Sequence, residues 1–255
     1  VAQADTEEDA ARAREGLATV CREVHVFTRK TVAALCQVAL AVPAGGSLTV
    51  GWHRDGRVER VLRELESRHD YGLVWAFSSG TGPWMTRRRT TPRIMDMCDV
   101  DALKWEALGR DGGGPMSLVY RLEAKRLLPL EVDLAETSDL CLVATDQEAA
   151  DLRARGTPRH LEVLTNGVPW HDFEGLPTPG SRPPVVGFLG QMDYPPNIRA
   201  VTHLAREVLP LVRQTVPDAR LRILGRAPTA DVRALDEPGR VEVVGPVDSV
   251  PPALG

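Results

Sequence analysis

The carboxyl-terminal third of the chain alternates between two hydrophobic periods. Val185–Leu189 is a short, mostly apolar run that stops at Gly190, the pattern of a buried parallel strand entering a tight turn. Over residues 198–215 the apolar positions Val201, Leu204, Ala205, Val208, Leu209 and Val212 recur at helical spacing. Pro195-Pro196-Asn197 separates the two segments, and Asn197 is placed to accept an orphan amide of the first helical turn. Residues 221–224 read as a second strand closed by Gly225, and residues 241–244 as a third closed by Gly245. Strand, helix, strand, short helix, strand is half of a doubly wound α/β domain.

The preceding residues repeat the theme with weaker signals. An acidic, alanine-rich helix over 5–17 leads into a strand at 23–27 and a helix at 30–41, broken by Pro43-Ala44-Gly45-Gly46. Residues 57–68 form an amphipathic helix with Val58, Val61, Leu62 and Leu65 on one face, followed by a central strand over 71–77. Further strands are expected at 92–98, 140–144 and 161–164, and the longest helix at 117–136, after the break Gly112-Gly113-Gly114-Pro115. Thr145 caps a helix carrying Asp146 and Glu148 in its first turn. Pro and Gly crowd residues 172–184, which places a linker there between an amino-terminal domain, 1–171, and a partial carboxyl-terminal one, 185–255.

Such sheets put ligands beyond the carboxyl ends of their strands, where glycine lets backbone come close and helix starts offer amides to phosphate. Gly190 and Gly225 occupy two such places, with ordinary turn glycines as the plainer reading. On the amino-terminal side, Ser78-Ser79-Gly80 ends the strand at 71–77, as a site or as a polar turn. Asp99 and Asp101 are spaced like metal ligands, with helix caps as the plainer reading. Trp84 with Arg87-Arg88-Arg89 reads as a solvated loop or as a contact with anionic lipid.

The run Gly-Phe-Leu-Gly-Gln-Met-Asp-Tyr-Pro-Pro-Asn-Ile-Arg-Ala-Val from Gly187, with the strands closed by Gly225 and Gly245, resembles the carboxyl-terminal half of a GT-B glycosyltransferase. Within that group it is most similar to sugar transferases associated with exopolysaccharide and PEP-CTERM gene clusters, relatives of the retaining group-1, family 4-like enzymes. Asp99-x-Asp101-x-x-Lys104-Trp105, the Ser78-Ser79 pair and Asn166-Gly167-Val168 resemble amino-terminal motifs of the same family, and Arg121-x-Glu123 matches one loosely, with a solvated or structural ion pair as the alternative. The resemblance implies two Rossmann-like domains that close around a nucleotide sugar, and transfer of the glycosyl group to a glycan or lipid-linked acceptor in cell-surface glycan biosynthesis. It implies donor binding by Gly190, Asp193, Tyr194, Asn197, Gly225 and Arg226, and an acceptor cleft containing Ser78, Ser79, Asp99 and Asp101, with metal ligation by the aspartates set aside. The nucleotide sugar is then substrate and no cofactor is expected.

Gln191 and Asn197 stand where the retaining group carries a basic pair. The family's Glu-x7-Glu donor motif would fall beyond Gly255 and its glycine loop before Val1, so the chain reads as a fragment with little or no turnover. A catalytically incomplete nucleotide-sugar-binding or interaction module is the alternative. An epimerase of the same architecture would need a histidine at the cleft, for which His160 and His171 are weak candidates.

Composition narrows the rest. With 255 residues, a formal net charge of -4 and a pI near 5.9, there is length for a sizeable core and no electrostatic case for nucleic acid. Basic charge is almost all arginine, with lysine only at 30, 104 and 125. Cys21, Cys36, Cys98 and Cys141 are scattered and form no Cys-x-x-Cys pair, which favours a reducing, cytoplasmic setting, with the inner membrane face as a place of peripheral contact. The longest apolar stretch, 31–42, is too short to span a bilayer.

Overall fold

The computed structural model describes residues 1–41, 45–85, 91–175 and 184–254. It divides into two compact units, Val1–Asn166 and Gly167–Gly255.

The first unit opens with β1 (Ala2–Ala4), α1 (Glu7–Ala18), β2 (Val26–Thr28), α2 (Thr31–Ala41), α3 (Leu48–His53) and α4 (Gly56–Arg68). It continues with β3 (Val74–Phe77), a 3₁₀ turn at Ser79–Trp84, β4 (Arg93–Cys98), α5 (Asp101–Asp111), α6 (Pro115–Thr137), β5 (Leu140–Val143), α7 (Asp146–Arg155) and β6 (Leu161–Val163). β1 and β2 pair as a two-stranded sheet, and β3-β4-β5-β6 form a four-stranded one; every pairing is parallel. Met95 and Met97 of β4, Cys141 and Val143 of β5 and Leu161 of β6 pack with Leu134 and Ala135 of α6 and Leu152 of α7. Burial drives the Cys141 thiol up to about 12, so it acts there as a small apolar side chain.

Three expectations are corrected here. The chain opens on a strand, not on a helix: Ala2-Gln3-Ala4 has no β-forming residue and becomes a strand only through its pairing with Val26–Thr28. The strand expected to be central, β3, lies at the edge of its sheet and exposes Trp75 and Phe77. Arg121 and Glu123 make no ion pair. Arg121 donates to the Gly109 carbonyl at 3.0 Å, whereas Glu123, 3 % exposed, accepts from Ser47 Oγ at 2.6 Å and from the Leu48 and Thr49 amides at 2.6 and 2.9 Å. A carboxylate on α6 therefore satisfies the start of α3, some 75 residues earlier. Replacing it with alanine leaves two backbone amides and a hydroxyl without their acceptor. Glu123→Ala is expected to cost about 3 kcal/mol, read from urea unfolding followed through Trp52 on α3.

The second unit contains a 3₁₀ turn at Trp170–Phe173, β7 (Val185–Leu189), α8 (Pro195–His203), a π turn at Leu204–Val208, α9 (Leu209–Thr215), β8 (Arg220–Leu224), α10 (Ala230–Arg233), β9 (Val241–Gly245) and α11 (Val250–Leu254). The strand order is β7-β8-β9, all parallel. Met192, Val201, Leu209, Leu221, Ile223 and Val241 form its core. β7 was expected to be buried, yet Val185, Val186 and Leu189 are exposed, because it is the sheet's edge and only Phe188 packs on the core.

Candidate functional site

Among the described residues, three non-glycine positions have positive φ: Ser78 at 71°, Cys98 at 58° and Ala227 at 54°. Each lies at or just beyond the carboxyl end of a strand: Ser78 after β3, Cys98 closing β4, Ala227 after β8. Side chains meet steric resistance in that region, and such strain collects where a fold holds backbone for a purpose other than its own stability. The carboxyl strand ends of both units are thus singled out by geometry as well as by topology.

In the first unit, Ser78 is half-buried and Ser79 fully buried, so only Ser78 is open to a ligand. Thr81 Oγ1 ties the loop down through the Phe77 and Ser78 carbonyls at 2.7 and 2.9 Å. A Cβ at Gly80 would lie 2.5 Å from His53 Cδ2, so this loop sits against the end of α3. At the end of β4, Asp96 Oδ1 accepts the Cys98 amide at 3.2 Å, and Cys98 Sγ faces Asn166 Oδ1 at 3.9 Å. Burial, then the charges of Asp99 and Asp96, hold the Cys98 thiol above its ordinary value.

The helix-cap reading of Asp99 and Asp101 is corrected. The residue at the cap position of α5 is Val100, and no side chain of the Asp99–Asp101 stretch caps the helix. Carboxylates from other helices do that work: Glu148 Oε1 accepts the Val100 amide at 2.9 Å and Glu131 Oε2 the Ala102 amide at 3.1 Å. Asp101 instead lies 3.5 Å from Lys104 Nζ, and Asp99 is exposed. No group of three or more His, Cys, Asp or Glu is placed to hold a metal among the described residues. Trp105 stacks on Tyr120 at 5.5 Å, a packing role within the α5–α6 pair.

Glu131 and His53 were missed by sequence reading. Glu131 is fully buried, and burial raises its carboxyl to about 7. The Ser79 hydroxyl faces the same carboxyl; Ser79 Oγ and Glu131 Oε1 are both buried and without a hydrogen bond of good geometry. The signal was present in the pattern of α6, where Glu123 and Glu131 fall on the face of Leu127 and Leu134. His53 lies beside Gln3 Oε1 at 3.3 Å, and burial followed by the Arg29 charge lowers its pKa.

In the second unit, Gly190 and Gly225 meet directly. Gly225 has φ +146°, and a Cβ there would lie 1.6 Å from the Gly190 carbonyl oxygen. The need for glycine at 225 is met by the chain's own backbone. The loop after β7 is pinned by the Gly190 and Met192 amides, which donate to Leu224 and Arg226 carbonyls at 3.1 and 2.8 Å, and by Met192, which is fully buried. Asp193 and Arg226 are left exposed and Tyr194 half-buried.

The capping role expected of Asn197 is also corrected. α8 begins at Pro195, the cap position is Tyr194, and Asn197 sits inside the first turn, donating from Nδ2 to the Gln191 carbonyl at 3.0 Å. Pro195 and Pro196 have no N–H, and the Asn197 and Ile198 amides both donate to Tyr194 O, at 3.0 and 3.1 Å. This helix start therefore has no free amide for a phosphate. Arg87, Arg88, Arg89, Pro43, Ala44 and the linker residues 176–183 lie outside the described residues, and Trp84 is half-buried.

Parallel strands joined by helices, with strained and glycine turns at their carboxyl ends, define an α/β protein of the doubly wound kind. Residues 183–255 match the family model described as Glycosyl transferases group 1. Among solved structures the chain is similar to sucrose-phosphate synthase from Thermosynechococcus elongatus, with 16% sequence identity and a TM-score of 0.51. The match covers 74% of this chain and 49% of that one, so the chain spans about half the length of the structure it resembles. This likeness shows the fold, an α/β architecture of the GT-B type. No curated protein matches the chain. No helix among the described residues is long and apolar enough to cross a membrane.

Proposed function

We propose that the chain is part of a retaining, hexosyl-transferring group-1 glycosyltransferase, with the acceptor on the first unit and a nucleotide-sugar donor on the second. The observation that carries the reading is the family match over residues 183–255, the segment whose strands end in the Gly190–Gly225 contact. The donor is bound by Gly190, Asp193, Tyr194, Asn197, Gly225 and Arg226. Because α8 supplies no free amide, the leaving diphosphate relies on the exposed Arg226 guanidinium, a fixed cation for charge that develops as the sugar departs. The acceptor contacts Ser78, Asp99 and Asp101, with Ser79 shaping their loop from below. By resemblance the product is a bacterial exopolysaccharide or other surface glycan, made in the cytoplasm with peripheral membrane contact near Trp84 and Arg87 to Arg89.

The family's Glu-x7-Glu donor motif has no match within residues 183–255, so this chain alone is expected to turn over little or no donor. Calorimetry with UDP, GDP and ADP tests the donor site, on this chain and on the protein expressed from its natural start to its natural stop. The longer protein is expected to bind one nucleotide, and Arg226→Ala to weaken that binding at least about tenfold. Binding of no nucleotide by the longer protein would overturn the donor assignment.

A further inference from the structure

The first unit holds a small, strongly basic pocket at the carboxyl end of β2. Its volume is about 120 Å³, and Arg29, Lys30, Arg54 and Arg57 line it with Asp55 as the one carboxylate. The chain around it is acidic, with a formal net charge of -4. Two further acids act on its arginines: Asp5 pairs with Arg29, and the charge of Glu7 reaches Arg57.

The four cations are of two kinds. Arg57 donates from Nε and Nη2 to Asp55 at 3.1 and 2.7 Å and from Nη2 to the Thr28 carbonyl at 2.8 Å, and its guanidinium lies 5.4 Å from the Phe27 ring. Arg29 pairs with Asp5 and lies over the Trp52 ring at 5.1 Å, yet its Nε is buried without a hydrogen-bond partner. These two arginines brace the loops after β2 and α3. Lys30 and Arg54 do not: both are exposed, and neither makes an ion pair with a described residue. The charge of Lys30 is felt at Asp55, but that carboxylate already serves Arg57. Like charges so gathered repel, and two of the four have no carboxylate of their own to offset the cost.

Backbone dipoles add charge of the same sign. The pocket runs along the first turns of α2, at Ala34 and Gln37, and along the start of α4, at Asp55, Gly56 and Arg57. With 11 and 13 residues, both helices are long enough to present a positive end there. Ala34 N donates to Lys30 O at 2.9 Å, which puts a lysine at the cap position of α2, and the first turn has no acid. A lysine side chain has no acceptor, and the Thr31 and Val32 amides find no partner among the described residues.

Charge and size define the occupant. A carboxylate would answer only one of the two unpartnered cations, whereas a phosphate carries close to two charges near neutral pH and offers several strong acceptor oxygens. The volume equals roughly four waters, which admits that group and leaves the rest of its molecule outside.

We propose that Lys30 and Arg54, together with Arg29 and the start of α2, form a binding site for a phosphate or diphosphate group whose organic part lies outside the pocket. The site rests on residues of the first unit alone and does not depend on the proposed transfer. Its assignment to the acceptor does, since that reading places the acceptor on the first unit.

Amide chemical shifts of the chain, followed during titration with inorganic diphosphate, test it. The Thr31, Val32, Arg54 and Gly56 amides are expected to shift together and to saturate. Lys30→Ala and Arg54→Ala should each weaken binding about tenfold, and Lys30→Glu combined with Arg54→Glu should abolish it, with the urea midpoint unmoved because both side chains are exposed. Acetate should bind about tenfold more weakly than diphosphate, or worse. Farnesyl diphosphate tells the source: tighter binding at the same amides marks a lipid-borne group and equal binding a soluble one, and the site stands in either case. Three results would overturn it: no saturable shift at these amides, binding that survives the double charge reversal, or acetate binding as tight as that of diphosphate. Shifts confined to the surroundings of Arg226 would do so too, and would leave the donor assignment intact. Loss of all nucleotide binding by the longer protein, with the diphosphate shifts retained, would sink the donor assignment and leave this site standing.

Discussion

Gly225→Ala is expected to unfold the carboxyl-terminal unit. The added methyl would stand 1.6 Å from the Gly190 carbonyl oxygen, a backbone atom with no rotamer by which to move aside. Relief requires β7 and β8 to part at their carboxyl ends, where Gly190 N donates to Leu224 O and Gly225 N to Gly245 O. The φ of +146° adds strain that an L side chain cannot shed. Together these are expected to cost about 4 kcal/mol or more, a large share of what a small unit possesses. Gly239→Ala is the control: φ there is +77°, yet nothing lies within 4 Å of the added atom, so only the conformational cost of about 1–2 kcal/mol remains. Hydrogen exchange over residues 185–245 should report loss of protection in the first variant and near-normal protection in the second. A Gly225→Ala protein as stable as Gly239→Ala would contradict the contact.

A pH dependence of stability should disappear in Glu131→Gln. The carboxyl is raised from 4.5 to about 7 in the folded chain, with burial as the main cause. Between those values the folded state holds a proton that the unfolded state has released. Stability from this group is therefore complete below about pH 4.5 and is lost as pH rises through about 7. The 2.5-unit interval corresponds to about 3 kcal/mol. Glutamine keeps an oxygen for the Ala102 amide and carries no proton to lose, so the variant should gain on the parent chain by that amount between pH 5 and 8. Urea midpoints of both proteins across the range check this. A difference that stays flat with pH would mean that Glu131 is ionised throughout, held by Ser79 and the start of α5.

Much of the architecture was legible because burial and period agree. Val201, Leu209 and Leu221 lie in the core, and the helix predicted over 198–215 is observed as α8, a π turn and α9. The short strands at 241–244 and 140–144 were marked by apolar runs closed by glycine or by the Thr145 cap, which accepts the Glu148 amide as expected. What failed was information that local sequence does not hold. Ala2–Ala4 is a strand by virtue of its partner, and β3 and β7 are edges because of what does not pair with them. Asn197 was given the cap because its residue type favours that place, but Pro195 starts a helix well and moved the boundary three residues earlier. At the sites, the serine and glycine turns were visible in sequence, whereas Glu131 was missed and Glu123 was read as part of a solvated or structural ion pair, because neither shows its partners until α6 is seen to bury that face.

The capping carboxylates of α6 also order the events of folding. α3 depends for two of its first amides on Glu123, and α5 for one of its own on Glu131, so neither helix start is complete until α6 has docked. Closing the contact between Glu123 and Leu48 spans 75 residues, a loop whose entropy must be met before its hydrogen bonds form. α3 should accordingly join the folded unit late, with Glu123→Ala speeding unfolding far more than it slows refolding.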